Sequence, residues 1–290
     1  MLRYYYKLIQ LFETLLNIII VSILNIKYLY RKTYYPPKKS DTIQILGNGP
    51  SLNNDIPEIY AKRLNNSLMV VNTFATTELF DQIKPEYYII VDPAFFSQSE
   101  NERIRKIQET TQKSLIDKTK WDLTLFVPFS SKKSNFIKEL EKGNEFIRII
   151  YFKNIPVIGG SDKINTFLFK NNLANPLFQN VLIAGIFIGI KMKFSNIHLF
   201  GADHSWLTNL KVLDDNSVIL NDKHITQNNT NYTILYEENG DNKKLHKFLF
   251  QIASMFREYH SLFLYSKKMT ISIKNHTEDS YIDAFEKKNF

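Results

Sequence analysis

The segment 47–52 (Gly-Asn-Gly-Pro-Ser-Leu) has the residue types and spacing of a ligand-binding turn, because it follows a run of strand-forming residues. Ile43, Ile45 and Leu46 suit a buried parallel strand. Glycine can adopt a positive φ or let a ligand approach the backbone closely, and proline suits the first turn of a helix. Amides at the start of a helix bind anions. The segment therefore predicts a phosphate-binding or nucleotide-binding turn; the alternative is an ordinary connection between a strand and a helix.

Two more polar residues end predicted strands. Residues 68–72 and 87–93 have the apolar, β-branched and aromatic composition of strands, and they end in Asn72 and Asp92-Pro93. In an open parallel sheet, ligands bind at the carboxyl ends of the strands, so both side chains are expected beside the glycine turn. A polar residue at that place is also a common helix cap, and this alternative stays open.

The remaining elements predict an α/β fold, with a Rossmann-like, mostly parallel sheet flanked by helices. Further strands are predicted at 123–128, 146–152, 196–200 and 270–273, and helices at 78–83, 97–120, 132–142, 176–191 and 244–259. Residues 153–175 are predicted to be a loop or mobile lid. Residues 207–242 are polar and too long for a plain turn, which indicates a lid-like insertion over the substrate.

Residues 1–40 form a hydrophobic and basic segment that is separate from the domain at 41–290. Residues 8–29 are largely apolar, which makes them a marginal membrane-spanning helix. Tyrosines lie at both ends, and lysines and arginines are more frequent on the C-terminal side. The segment predicts a membrane-associated helix that spans the bilayer or lies in its interface, with the domain in the cytoplasm. A helix that packs on the domain is the alternative.

The composition is that of a globular protein of 290 residues with no cysteine, which excludes disulfides and cysteine-ligated metals. The net charge of +8 suits an anionic membrane surface or an anionic sugar nucleotide. Because the enrichment in Asn, Lys, Ile and Tyr resembles genome composition, the charge does not indicate a nucleic-acid partner.

The segment 47–52 resembles the opening motif of the bacterial sialyltransferases of glycosyltransferase family 42, where this turn lies against the cytidine monophosphate of the donor. Related motifs occur in other surface-glycan enzymes and in the archaeal hydroxymethylpterin pyrophosphokinase-like family. The resemblance extends thinly over residues 43–287 and includes an Ile-x-Leu-x-Gly-x-Asp pattern at 197–203. The sialyltransferases have asparagine where this chain has Asp92. A carboxylate there repels a donor phosphate unless it binds a ribose or sugar hydroxyl, binds a cation or points away from the donor.

The resemblance implies a set of donor-binding residues at the edge of the sheet. They are Gly47, Asn48, Gly49, Pro50, Ser51, Asn72, Asp92, Asn180, Gly201, Asp203 and Ser280. Residues 280–285 resemble the small helix that follows the last strand of the sialyltransferases.

Inverting sugar transfer needs a base that takes the proton of the acceptor hydroxyl, and histidine suits this role because its pKa is near neutrality. The sialyltransferases supply this base from the insertion, which here contains His224; His204 is the second candidate and His246 the third. Lys223 or Tyr232 is available to stabilise the leaving phosphate. No spacing of His, Asp or Glu indicates a metal site, and no cofactor is expected.

The sequence thus predicts a glycosyltransferase that moves a sialic-acid-like or similar sugar from a nucleotide-activated donor, CMP-linked by resemblance, to a surface polysaccharide or a lipid-linked glycan. Its place would be the cytoplasmic face of the bacterial inner membrane, with homo-oligomerisation left open. One alternative is a magnesium-dependent diphosphotransferase that uses Asp92 and Asp203. Another is a non-catalytic subunit of a glycan assembly complex that binds the nucleotide sugar.

Overall fold

A computed structural model describes residues 1–28, 31–221, 232–237 and 240–287. The helices are α1 Leu2–Lys27, α2 Leu52–Ala61, α3 Leu79–Ile83, α4 Glu102–Lys118, α5 Asn135–Gly143, α6 Asp162–Lys170, α7 Val181–Lys191 and α8 Leu245–Lys268. The strands are β1 Thr42–Leu46, β2 Ser67–Val71, β3 Tyr87–Ile89, β4 Leu123–Pro128, β5 Ile147–Phe152, β6 Pro156–Val157, β7 Asn175–Pro176, β8 Asn196–Phe200, β9 Leu210–Val212, β10 Val218–Asn221, β11 Tyr232–Ile234, β12 Ser272–Asn275 and β13 Glu286–Lys287.

Eight of these strands form one parallel sheet, which confirms the predicted α/β fold. Their order is β13-β12-β8-β1-β2-β3-β4-β5, and every neighbouring pair is parallel. The chain builds outward from β1 to β5 in one direction and then returns to add β8, β12 and β13 on the other side of β1. The point where the direction reverses lies between β1 and β8, and such switch points are where open α/β sheets bind ligands.

Both faces of the sheet are buried, because alternate residues of each central strand enter two separate apolar clusters. On β1, Ile43 and Ile45 enter the cluster that contains α7, whereas Leu46 enters the cluster that contains α2 and α5. Helix α7 packs closely on the sheet at two glycines: a Cβ at Gly189 would lie 3.1 Å from Cδ1 of Ile197. A Cβ at Gly185 would lie 3.3 Å from Cγ2 of Ile45.

The prediction of a loop or mobile lid at 153–175 is wrong, because this segment contains α6 between the short parallel strands β6 and β7. Leu168 and Phe169 on α6 are buried, so an apolar helix face outweighs the many Asn and Lys residues that suggested a loop. The next helix begins at Val181 rather than at Pro176, because the Asn180 side chain caps it by accepting a hydrogen bond from the Leu182 amide at 2.8 Å.

The insertion at 207–242 contains a small antiparallel sheet in the order β11-β10-β9, so far as its residues are described. After β12, the small helix implied for residues 280–285 is absent from the described structure. The chain there is irregular and then extended, and β13 adds to the sheet beside β12. Helix α8 is longer than predicted and continues to Lys268.

Helix α1 is long and apolar enough to cross a membrane, judged by length and composition alone. It also contacts the domain: Asn17 and Asn25 donate hydrogen bonds to the carbonyls of Ile158 and Leu173, at 3.1 and 2.7 Å. Val21 and Tyr28 are buried in the same apolar cluster as α7.

Candidate functional site

The glycine turn after β1 packs directly against the turn that follows β8. A Cβ at Gly47 would lie 2.4 Å from the Gly201 carbonyl oxygen, and one at Gly49 would lie 1.8 Å from Oδ2 of Asp203. Gly201 itself has a φ of 60°. Neither Gly47 nor Gly49 has a positive φ. The two glycines are therefore required for the close approach of two loops rather than for an unusual backbone conformation.

The turn was predicted to bind an anion through its backbone amides. Three of these amides instead donate hydrogen bonds within the protein. Gly47 N–H donates to the Phe200 carbonyl at 2.8 Å, and Gly49 N–H donates to the Gly201 carbonyl at 3.0 Å. Ser51 N–H donates to Oδ1 of Asp203 at 3.2 Å. A ligand phosphate therefore has to find its donors elsewhere in the site.

Asp203 joins the two loops. Besides the amide bond, the Ser51 hydroxyl donates to Oδ2 of Asp203 at 2.8 Å. Burial raises the pKa of Asp203, and the two hydrogen bonds from Ser51 oppose this increase. The carboxylate predicted at this position is thus at the switch point, half-buried and bonded to the glycine turn.

Asn48 and Asn72 lie at the carboxyl ends of adjacent strands and present buried amide oxygens. The Asn48 amide nitrogen donates to the Thr73 hydroxyl at 3.2 Å, and this fixes its orientation. Asn72 has a φ of 47°, and its carbonyl accepts a hydrogen bond from the Tyr88 hydroxyl. Among the residues that the structure describes, neither Oδ1 atom has a hydrogen-bond partner. Buried acceptors without partners and a strained backbone are typical of binding sites.

Asp92 lies one strand further from β1 and has a local structural role. Its Oδ1 accepts a hydrogen bond from the Ala94 amide at 2.9 Å and caps a short 3₁₀ turn at Pro93–Phe95. This is the helix-cap alternative that the sequence left open. The side chain is exposed.

The other predicted residues lie around the same loops. Ser280 is buried, and its hydroxyl donates to the Ala202 carbonyl at 2.6 Å while accepting from the Asn275 amide group at 2.9 Å. Thr277, which the sequence did not single out, accepts a hydrogen bond on its hydroxyl oxygen from the Ala202 N–H at 2.9 Å. These bonds fix the loop after β8 to the segment after β12.

His204 is buried and bonded to helix α8. It has a φ of 52°, and its Nε2 lies 2.7 Å from the Tyr259 hydroxyl. That hydroxyl donates to Oδ1 of Asn180 at 3.3 Å, the same oxygen that caps α7. Burial raises the pKa of Tyr259. His204, Tyr259 and Asn180 therefore connect the loop after β8 to the N-terminus of α7.

Asp55 also lies near the site, although it was not predicted from the sequence. It lies in the first turn of α2, and its buried Oδ2 atom has no hydrogen-bond partner within the described part of the chain. Burial, followed by the charges of Glu58, Asp203 and Glu278, raises its pKa to about 6. An acidic residue in the first turn of a helix is common, so the sequence offered no signal that this one faces three other carboxylates.

Of the three candidate bases, His224 lies outside the described residues, as does Lys223, and His246 is exposed in the first turn of α8. The described ranges contain no group of three or more His, Asp or Glu side chains that could hold a metal ion.

The fold and the site define the protein as a parallel α/β protein. Its polar residues gather at the switch point between β1 and β8. The chain belongs to the 6-hydroxymethylpterin diphosphokinase MptE-like family, whose sequence profile matches residues 20–209. This confirms the pterin-enzyme part of the resemblance; the sialyltransferase part stays a prediction.

The MAf glycosyltransferase from Magnetospirillum magneticum AMB-1 has a similar fold. The two structures superpose with a TM-score of 0.50 and 11% sequence identity over 89% of this chain and 35% of the MAf chain. The chain thus spans about a third of that glycosyltransferase, and at this identity the likeness shows the fold alone. No curated protein sequence matches the chain.

Proposed function

We propose that the protein is a glycosyltransferase that moves a sialic-acid-like or similar sugar from a CMP-linked donor to a surface polysaccharide or a lipid-linked glycan. The observation that carries the proposal is the pair of unpartnered amide oxygens, on Asn48 and Asn72, beside the glycine turn at the switch point. The similarity in fold to a glycosyltransferase over 89% of the chain supports it, and so does the resemblance of residues 47–52 to the sialyltransferase motif.

The donor nucleotide would bind through hydroxyl and amino groups that donate to Asn48 and Asn72, because these two side chains offer acceptors. The donor phosphate would lie at the N-terminus of α7, whose Leu182 side chain approaches the glycine turn: its Cδ1 lies 3.4 Å from the position of a Cβ at Gly47. The partial positive charge of a helix N-terminus favours an anion there. Asp203, which joins the two loops at this edge, would accept a hydrogen bond from a hydroxyl of the ligand.

The proposed base is His224, in the insertion that follows the β8 turn, with His204 second and His246 third. Lys223 or Tyr232 would stabilise the leaving phosphate. No cofactor is required in this mechanism, because the sugar leaves from a phosphate that the protein itself stabilises. The domain would work on the cytoplasmic face of the bacterial inner membrane, with no nucleic-acid partner; homo-oligomerisation is open.

A magnesium-dependent diphosphotransferase is the second candidate, and membership of the MptE-like family favours it. It would use Asp92 and Asp203 as metal ligands. Both carboxylates already accept hydrogen bonds, from Ala94 N–H and from Ser51, so a metal would have to compete with these contacts. A non-catalytic subunit that binds a nucleotide sugar is the third candidate.

Thermal unfolding of the full-length protein with CMP, UDP, GDP or ADP, each with and without magnesium, tests the proposal. A ligand at about 100 times its Kd stabilises a protein by about 2.7 kcal/mol. We expect CMP to raise the Tm without magnesium, and we expect this shift to disappear in the Asn48→Ala variant but not in Gln98→Ala, a matched exposed amide. A response to ADP that requires magnesium, with none to CMP, would replace this proposal with the diphosphotransferase.

A further inference from the structure

One side of α1 carries a row of polar residues that bind the domain. The row, here called the polar stripe, consists of Gln10, Glu13, Thr14, Asn17 and Asn25. Glu13 accepts from the Gly160 amide at 2.8 Å, and Thr14 accepts from the Ser161 amide at 2.8 Å. Asn17 bonds both backbone groups of Ile158, donating at 3.1 Å and accepting at 3.3 Å. The intervals of three or four residues between Gln10, Thr14 and Asn17, and of eight residues (about two turns) from Asn17 to Asn25, place the stripe on one face of the helix.

Most of the remaining helix surface is exposed and apolar. This apolar face consists of Leu8, Leu11, Phe12, Leu15, Leu16, Ile18, Ile19, Ile20, Ile23 and Ile26. Leu15 is 53% exposed and Ile26 is 71% exposed. A continuous apolar face of this size on a soluble monomer marks a surface for a membrane or for another protein.

The polar stripe argues against a helix that crosses the bilayer. A spanning helix needs about 20 residues in the hydrocarbon, and every such window of this 26-residue helix contains Glu13, Thr14 and Asn17. These side chains would either lose their partners in the hydrocarbon or take residues 158–161 and the charged start of α6 in with them. Both alternatives are unfavourable in a medium without water.

The ends of the helix indicate lipid rather than protein as the covering partner. Exposed tyrosines lie at the N-terminal end of α1 and in the segment that follows the helix, with Tyr4 73% and Tyr34 64% exposed, and tyrosine favours the interface between lipid and water. Arg3 and Lys7 at one end and Lys27, Arg31 and Lys32 at the other surround the apolar face with positive charge. The single carboxylate of α1, on Glu13, is turned toward Gly160 and Arg257 of the domain.

We propose that α1 is an in-plane membrane anchor. Its apolar face lies in one leaflet of an anionic bilayer, and its polar stripe holds the α/β domain against that same leaflet. The proposal refines the membrane association given above and does not depend on the reaction, because the nucleotide response and the position of α1 are measured independently.

Labelling of single cysteines tests the position of the helix, because the natural chain contains no cysteine. One cysteine is placed in a short polar tag ahead of Met1, and another replaces Leu64, which is 98% exposed on the domain. In membrane vesicles of known orientation, a membrane-impermeant maleimide is expected to modify both cysteines from the same side. Modification of the two from opposite sides would show that α1 spans the bilayer and would overturn the proposal.

Binding to vesicles tests the lipid partner. Each basic residue near an anionic membrane contributes about 1 kcal/mol, or about fivefold in affinity. The full-length variant with Lys27→Gln and Lys32→Gln should therefore bind vesicles of phosphatidylglycerol and phosphatidylcholine about 25-fold more weakly. The control with Lys106→Gln and Lys113→Gln, exposed on α4, has the same charge change and should bind as the natural protein does. Equal losses in the two variants would contradict the assigned surface.

A second copy of the chain is the competing partner for the apolar face. Leu15→Asp places a charge on that face and is expected to abolish binding to the vesicles while the domain stays folded. If this substitution instead converts a dimer to a monomer in sedimentation experiments and leaves vesicle binding unchanged, then the face is a dimer interface and the anchor proposal is wrong.

Discussion

Gly49 shows how a single position connects two parts of the site. Its missing side chain leaves room for the carboxylate of Asp203 and for the Gly201 carbonyl, and Asp203 in turn bonds Ser51 just beyond the glycine turn. The segment 47–52 therefore owes its composition to the contact between the β1 and β8 loops. A ligand at this edge meets a rigid surface that is already assembled.

The Gly49→Ala substitution is expected to lower the free energy of unfolding by at least about 2 kcal/mol, because a methyl group there meets a bonded carboxylate and a backbone carbonyl, neither of which can move freely. Urea denaturation measures the loss. In the control Gly143→Ala, the new methyl meets only the side chain of Ile116 at 3.1 Å, so a loss of less than about 1 kcal/mol is expected. Equal losses of unfolding free energy in Gly49→Ala and Gly143→Ala would show that the contact between the β1 and β8 loops does not stabilise the fold.

Asp55 should make stability depend on pH. Its pKa is raised from 3.8 to about 6 in the folded protein, so the folded state holds a proton that the unfolded state releases. Stability is therefore expected to fall as pH rises from about 4 to 6 and to stay lower above that range. Since the side chain is half-exposed, Asp55→Asn should recover only about 1 kcal/mol at pH 8 and nothing near pH 3.

Denaturation at several pH values measures this effect, and Asp122→Asn, an exposed carboxyl on another loop, is the control. A gain in the Asp55→Asn variant that is the same at pH 3 and pH 8 would rule out the linkage to the proton.

At the scale of elements, α7 and α1 show how helices of similar composition differ in role. Helix α7 is buried along ten of its eleven residues, with its N-terminus at the site. Helix α1 is apolar as well, but only its polar stripe and a few apolar side chains contact the domain. The polar residues that interrupt α1 are thus its attachment to the fold.

The Asn17→Ala substitution should lower the free energy of unfolding by about 1–3 kcal/mol, because it leaves the Ile158 amide and carbonyl without their partner. Ser22→Ala is the matched control: Ser22 is exposed and donates only to the Ile18 carbonyl of its own helix, so a change of less than about 0.5 kcal/mol is expected. A negligible effect of Asn17→Ala in chemical denaturation would mean that α1 is not held by the stripe.

At the scale of the whole molecule, the sheet order brings together loops that are more than 150 residues apart in the chain, and the insertion at 207–242 leaves directly from the β8 loop. In the proposed reaction this insertion supplies the base. His224→Gln is expected to lower kcat about 10²- to 10⁴-fold with CMP-activated sugar, while the thermal response to CMP stays unchanged.

His246→Gln is the control for that experiment, since His246 is exposed on α8 and is the weakest of the three candidates. Full activity of His224→Gln, together with loss of activity in His204→Gln, would assign the base to the β8 loop instead.

The sheet and the edge at which the site lies could be predicted from the amino-acid sequence. Short apolar runs separated by polar turns are typical of parallel strands buried on both faces, and the carboxyl ends of such strands share one edge. For this reason Gly47, Asn72 and Asp203 could be assigned to one place. The sequence could not show that 153–175 contains a helix, because α6 is polar overall and becomes helical by packing its few apolar residues against α8.

The roles of the residues at that edge depend on contacts that form only in the folded chain. The Gly47 and Gly49 amides donate to the end of β8 and to the loop after it, and Asp92 caps a turn. The pKa of Asp55 is raised by burial and then by the charges of Glu58, Asp203 and Glu278. In the same way, the polar residues of α1 interrupt what the sequence predicts as a spanning helix. In the folded protein they bond residues 158–173 of the domain. Local composition specifies which backbone forms, whereas the partner of a polar atom depends on which distant loop folds beside it.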